Sequence, residues 1–385
     1  MKINKIEIFQ LQHEISPSFG WSQGWTDTRI TGLVRITTDS GLVGWGEGAS
    51  GPAAAVIEQL FAPLLLGQDP LNRLGLWQQL FNALYNSNSA AGFGSLAISA
   101  IDIALWDIAG KAVDLSVADL LGGRIRDRVA VYATGLYYTE GEFPTRLLDE
   151  ARSYVDEGFL GMKTKVGGLP WREDVRRVTA LREAIGSDVY LAVDANQAYN
   201  ASTAIRVGRA LADLDIAWFE EPVNATDLPA YQQVKAALPL PIAGGECLHT
   251  RFAFKDFLAE GALDIAQPDI MVTGGLTEMR RIADMASAFG VLVYPHVWAS
   301  PIMIAATLQL AATIPPCPPA RRPQPFMQEP VMEFDRTPSP IREALSPQPF
   351  TQKDGFVAVP DGPGLGVVID EEVLARLTVN YSSCE

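Results

Sequence analysis

Val189-Tyr190-Leu191-Ala192-Val193-Asp194 is a short apolar run that ends on an acid, and the chain repeats the pattern twice, as Ala217-Trp218-Phe219-Glu220-Glu221 and Ile242-Ala243-Gly244-Gly245-Glu246. Runs of this length and composition, each followed by an amphipathic stretch, read as buried strands alternating with helices. Asp194, Glu220 and Glu246 follow one another at intervals of 26 residues, the length of one strand, one helix and two loops. Further strands are expected at 129–134, 161–166, 265–269 and 291–296, with a poorer eighth at 325–329. Seven or eight parallel βα units close into a barrel. Between them, 173–185 and 277–289 carry apolar residues on one face and charges on the other, as the outer helices of a barrel do.

A chain of 385 residues has room for a barrel of roughly 250 residues and a second domain. With 48% apolar and 19% charged residues it can bury a large core, which excludes a disordered chain. A net charge of −15 excludes a nucleic-acid surface, since neutralising phosphates needs clustered Lys and Arg. Residues 1–10 lack the apolar centre of a signal peptide. The most apolar helical stretch, 301–314, is interrupted by Thr307 and Gln309 and stops at Pro315, too short to span a bilayer. A soluble, cytoplasmic protein without membrane or nucleic-acid partners is expected. Cys247, Cys317 and Cys384 share no redox or metal-ligand spacing, which suits a reducing compartment. Cys247 stands beside Glu246 but, in a strand, would point the opposite way, so it reads as an inert thiol.

Before the barrel, 3–8, 30–38 and 42–47 alternate as strands around the turn Asp39-Ser40-Gly41, and 53–66, 74–85 and 96–113 have helical periodicity. The expected organisation is an α+β domain at 1–127, a barrel at 128–345, and a tail at 346–385 lying back on the first domain. Residues 16–28, rich in Gly, Ser and Trp, read as a functional loop.

In a parallel barrel the active site lies at the C-terminal ends of the strands. Asp194, Glu220 and Glu246 end three consecutive strands there, and three carboxylates in a partly dry site repel one another unless a cation lies between them. Oxygen ligands in that number point to one Mg²⁺. Lys163 and Lys165 leave the same face of the second strand, and burial beside a cation would lower a lysine toward basic function. Asp269 and His296 end the sixth and seventh strands, and a carboxylate beside an imidazole fixes its tautomer and supports its charged form, as a general base requires. Of the other histidines, His249 follows Glu246 and is a candidate substrate contact, while His13 is a surface or lid residue.

Lys163-Thr164-Lys165, Asp194, Glu220, Glu246, Asp269 and His296 together resemble the mandelate racemase subgroup of the enolase superfamily. Gly44-Trp45-Gly46-Glu47, Ala104-Leu105-Trp106-Asp107, Phe219-Glu220-Glu221-Pro222 and Pro360-Asp361-Gly362-Pro363-Gly364-Leu365-Gly366 extend that resemblance over nearly the whole chain. It implies a modified (β/α)7β TIM barrel under an α+β cap built from both chain ends, with lids at 16–28 and after Glu47. It implies that Lys165 and His296 are bases on opposite faces of the substrate, with Lys163 and Asn196 at its carboxylate. Trp298 is a further substrate contact on this reading, and Glu329 is the eighth-strand acid that meets a substrate oxygen. It also implies a homo-oligomer and a small carboxylate substrate.

Within the subgroup, Gly244-Gly245-Glu246, Pro295-His296-Val297-Trp298 and 329–337 are similar to cycloisomerases that open an aldarolactone such as D-galactarolactone by β-elimination. An acid-sugar dehydratase or a racemase would use the same enolate. A metal-dependent barrel hydrolase would want a histidine-rich metal site, which three unpaired histidines do not supply. A non-catalytic barrel would have lost part of the constellation, which is complete here.

Overall fold

The computed structural model describes residues 1–141 and 143–385. Two long strands, β1 (Ile3–Trp21) and β2 (Gly24–Thr38), form a hairpin that β3 (Val43–Glu47) extends. Ile3, Ile6, Ile8, Val34 and Ile36 on one face of this sheet pack with Ile57, Phe61, Trp77, Leu80, Ile98 and Leu105 of the cap helices. The helix Phe93–Val113 is buried almost all round, the mark of a helix held between two layers. β3 lies against it because its alternate residues are glycines. A Cβ on Gly46 would stand 1.9 Å from the Ala100 carbonyl oxygen, and one on Gly44 2.2 Å from that of Ala104.

The barrel consists of β4 (Arg128–Thr134), β5 (Gly161–Lys165), β6 (Tyr190–Asp194), β7 (Ile216–Glu220), β8 (Ile242–Gly244), β9 (Ile265–Ala266), β10 (Leu292–Val293) and β11 (Val331–Asp335), all parallel. The Glu333 N–H donates to the Pro295 carbonyl and joins the last strand to the residues after β10. The eighth strand is therefore 331–335, not 325–329 as the sequence suggests. Pro325 and Pro330 withhold the N–H groups a ladder needs, and the alternation begins only at Val331. β8, β9 and β10 stop short of the acids and histidine that follow them, although Asp269 and His296 still meet in one parallel bridge.

The lower part of the barrel interior is apolar. Tyr132, Trp218, Ile265, Tyr294 and Val331 fill it, and Phe326 stacks on Tyr190 with ring centroids 4.2 Å apart. The tail is shared between the two parts of the molecule. β12 (Gln352–Lys353) and β13 (Phe356–Ala358) form a small hairpin that pairs antiparallel with β4, whereas β14 (Thr378–Cys384) pairs with β1 in the cap. No helix among the described residues is long and apolar enough to cross a membrane.

Residues 16–28 are not an irregular loop. β1 and β2 continue through them to a two-residue turn at Ser22-Gln23, with Phe19, Gly20 and Trp21 opposite Thr26, Trp25 and Gly24. Their Gly, Ser and Pro content suggests a loop, but a bulge between Glu14 and Phe19 absorbs Pro17 and restores the pairing beyond it.

Candidate active site

Strand register brings the charged residues together. Lys165 lies opposite Asp194, and Asp194 opposite Glu220, on adjacent parallel strands. Glu246 sits one turn past β8, after Gly245 at φ 123°, where a Cβ would come within 2.8 Å of the Phe254 ring. Carboxylate oxygens of Asp194, Glu220 and Glu246 lie within 4.8 Å of one another. All three donors are hard oxygens, and their chemistry fits Mg²⁺. Trp218 Nε1 and Gln267 Nε2 donate to Glu220 Oε2 at 2.8 and 2.6 Å and fix its orientation.

The two lysines of β5 occupy different places. Lys163 is fully buried and bridges Glu220 Oε1 at 2.5 Å and Glu333 Oε1 at 3.0 Å, with Asp194 at 3.7 Å. Lys165 reaches Asp194 Oδ2 at 2.5 Å and lines the open cavity above. Burial works against the charge on both ammonium groups. Glu220 and Glu333 overcome it at Lys163 and Asp194 at Lys165, so both are held above the ordinary lysine value. The carboxylates that face the lysines directly set this direction.

On the other flank, His296 Nδ1 lies 2.6 Å from Asp269 Oδ2, and Nε2 lies 3.5 Å from Glu246 and 3.4 Å from Glu333. Asp269 is itself fixed, since it caps the following helix and accepts the Met271 N–H at 2.6 Å. Burial opposes the imidazolium, but Glu246, Glu333 and Asp269 outweigh it and raise His296 well above its usual value. Burial, with Asp194, Glu246 and Glu333 nearby, pushes Glu220 up to about 7 despite Lys163. Among the described residues, Asp194, Glu220, Glu246, Asp269 and Glu333 form their ion pairs here with Lys163, Lys165 and His296, more acids than bases, and a divalent cation would offset the difference.

A cavity of about 190 Å³ opens on this cluster, lined by Trp21, Tyr137, Lys165, Asn196, Glu246, His296, Trp298 and Glu333. The hairpin tip forms its roof. Gly20 exchanges backbone hydrogen bonds with Tyr138, Ser22 Oγ donates to the Ala195 carbonyl at 2.7 Å, and Gln23 Nε2 to that of Asn196 at 3.0 Å. Arg29 of β2 pairs with Asp335 at 2.7 Å and stacks on Trp298 at 4.0 Å, which ties the lid to the wall. Asn196 Oδ1 and Trp298 Nε1 are buried without a hydrogen-bond partner, leaving one acceptor and one donor on the cavity wall.

Two sequence expectations are corrected. Glu329 precedes β11 and faces Arg126 at 3.7 Å, at the opposite end of the strand from the cavity. The eighth-strand acid beside His296 and Lys163 is Glu333. Its signal was an acid at the centre of Val331-Met332-Glu333-Phe334-Asp335, the same alternation that marks Lys163 and Lys165. His249 makes no wall of the cavity; its Nδ1 lies 2.7 Å from Ser95 Oγ of the cap and 3.2 Å from the Val272 carbonyl. His13 is exposed on β1. Trp21 and Tyr137 were not legible as wall residues, because hairpin packing brings them there. The segment after Glu47 is pinned to the cap sheet, with the Gly48 and Ala49 N–H groups on the Gly32 carbonyl.

Comparison with known proteins agrees with this geometry. Residues 146–373 match the family described as enolase C-terminal domain-like, and residues 5–122 the N-terminal domain of mandelate racemase / muconate lactonizing enzyme. The chain is 42% identical over 381 residues, 98% of each chain, to a D-galactarolactone cycloisomerase of Agrobacterium fabrum. The crystal structure of the 3,6-anhydro-D-galactonate cycloisomerase from Zobellia galactanivorans superposes with a TM-score of 0.87 at 37% identity, covering 99% of this chain and 100% of that one. That of a racemase from Streptomyces coelicolor with bound magnesium gives 0.87 at 32% identity, covering 98% and 100%. With both domains matched and its strand-end acids, lysines and histidine converging on one cavity, the chain belongs to the mandelate racemase / muconate lactonizing enzyme group of the enolase superfamily.

Proposed function

We propose that the protein opens the ring of an aldarolactone, of the D-galactarolactone type, by removing the proton α to its free carboxylate. The observation that carries this is the placement of Lys165 and His296 on opposite flanks of one small cavity that also holds Glu246. Two relatives named as cycloisomerases support the ring-opening outcome. Asp194, Glu220 and Glu246 would hold Mg²⁺. When bound, it supplies positive charge against the negative charge that builds on the substrate carboxylate.

The remaining work falls to the chain's own groups. Lys163, beneath the cavity, adds a fixed positive charge for the carboxylate, and Asn196 and Trp298 offer an acceptor and a donor to substrate hydroxyl or carboxylate groups. The α-proton moves to Nζ of Lys165 as the α,β double bond forms. The ring C–O bond at the β-carbon breaks, and its electron pair leaves with the ring oxygen as a carboxylate. No atom is lost, so the enol that results is an isomer of the lactone and ketonises in turn. His296, kept charged by Asp269 and Glu333, is the acid of the opposite flank. The hairpin roof, held to the Ala195 and Asn196 carbonyls by Ser22 and Gln23, would limit water at this step and so strengthen each electrostatic contact.

The test is NMR of the magnesium-loaded protein in deuterated water with aldaro- and aldonolactones and the open-chain acids. Ring opening without loss of water, with Glu220→Gln inactive but folded, is expected. Loss of water from an open-chain acid would overturn the ring-opening reading in favour of a dehydratase, and bare α-exchange would favour an epimerase.

The same reading places the protein in the cytoplasm, a setting supported by its three unpaired cysteines. It also includes a homo-oligomer, supported by exposed Leu74, Tyr85, Phe93 and Phe252. Light scattering that returned the monomer mass would remove the last element.

A further inference from the structure

Beside the triad lies a second group of donors that shares Glu246 with it and adds two residues, Glu221 and Cys247, that the proposed reaction does not use. Glu221, Glu246 and Cys247 each offer a ligand atom within 4.8 Å of the others. Glu221 is fully buried at φ 38°, and its Oε1 has no hydrogen-bond partner. A buried carboxylate oxygen without a partner is costly unless something occupies it. Gln197 Nε2 donates to Glu221 Oε2 at 3.2 Å and lies 3.5 Å from Cys247 Sγ, while its Oε1 accepts the Ala225 N–H at 2.9 Å. The amide therefore holds both ligands from one side. Because β8 stops at Gly244, the strand alternation that would turn Cys247 away from Glu246 does not apply, and the thiol is exposed to an entering ion.

We infer that Glu221, Glu246 and Cys247 form a second cation site, for a thiophilic divalent ion such as Zn²⁺ or Cd²⁺, and that filling it inhibits the enzyme by engaging Glu246. Sulfur and two carboxylates select such an ion over magnesium, which takes oxygen ligands. Binding forms a sulfur–metal bond and releases the thiol proton to solvent. The inhibitory effect rests on the role proposed above for Glu246, whereas the binding does not.

The experiment is a Cd²⁺ titration of the magnesium-loaded protein, followed by the ultraviolet charge-transfer band of a cadmium thiolate and, separately, by turnover. A saturable band is expected in the wild type and in Cys384→Ser, and none in Cys247→Ser, which keeps its basal activity and resists Cd²⁺. Glu221→Gln should weaken Cd²⁺ binding by about tenfold or more, since changing even an outer-shell partner of a metal ligand costs about that much. A wild type without the band, a band surviving Cys247→Ser, or affinity unchanged in Glu221→Gln would each overturn the site, the last by showing a lone thiol. A band without any inhibition would overturn the inhibitory role alone.

Discussion

At the level of single residues, Lys165 and His296 differ in what supports their charge. Lys165 owes its raised value chiefly to Asp194, with Tyr137 and then Glu246 contributing, and the two acids are magnesium-ligand candidates. His296 is raised first by Glu246, which is such a candidate, and then by Glu333 and Asp269, which are not. With the ligand candidates engaged, His296 would still have Glu333 and Asp269, which supports the proposed assignment of the lysine as base and the imidazolium as acid. His296→Asn should therefore retain solvent-deuterium exchange at the substrate α-carbon while product formation falls by about 10²–10⁴-fold, the usual range for a general acid or base. Lys165→Ala should lose both. If His296→Asn also loses exchange, the two groups act as one unit and the assignment of separate roles fails.

Among the elements, the β1–β2 hairpin and β3 do the positioning. The hairpin places Trp21 in the cavity roof, and Arg29 carries its base to Asp335. Trp21→Ala should raise KM more than it lowers kcat, since Trp21 lines the cavity but carries no group that takes or gives a proton in the proposed step. Equal losses in both would place it in the chemistry instead. β3 sets how close the cap sheet comes to its central helix, and Gly46→Ala would drive a methyl group into the Ala100 carbonyl. Overpacking of this kind costs about 1–3 kcal/mol or more. Thermal unfolding should show the loss, and an unchanged midpoint would mean that β3 can shift without cost.

For the whole molecule, the question is how cap and barrel hold their relation across the site. Glu47 at the end of β3 accepts from Ser300 Oγ at 2.6 Å and Thr31 Oγ1 at 2.5 Å, joining the cap sheet to the loop that follows His296. Asp107 accepts the N–H groups of Trp45 and Leu365, so one buried acid joins β3, the central helix and the tail. Asp102 accepts the Thr277 N–H at 2.8 Å and faces its hydroxyl at 2.6 Å across the cap–barrel seam. Burial raises its carboxyl from 3.8 to about 7, against the lowering pull of Thr277 and Arg73. The folded state therefore favours the protonated acid. That stability is fully present below 3.8 and is lost as pH rises through about 7. Asp102→Asn should remove this slope, so unfolding free energies of variant and wild type should diverge in the variant's favour between roughly pH 4 and 7. Parallel curves would show that Asp102 is charged throughout.

The strand-end acids, the paired lysines and the Asp–His pair could be read from the sequence because strands repeat every two residues and βα units recur at a constant length. Both regularities are local, and together they determined the barrel, the face its charges take and the charged residues of the site other than Glu333. Motifs such as Gly44-Trp45-Gly46-Glu47 were legible as family marks, but only packing explains them, as two glycines under a helix and an acid joining the cap sheet to a barrel loop. Glu333 was misassigned to Glu329 because two prolines blur where the last strand starts, and a shift of register decides which acid faces inward. The lid, the wall residues Trp21 and Tyr137, and the neighbourhood of Cys247 belong to tertiary structure alone. Each depends on where a chain segment stops or bends and on what it then meets, and a contact between residues far apart in the chain leaves no periodicity in either segment.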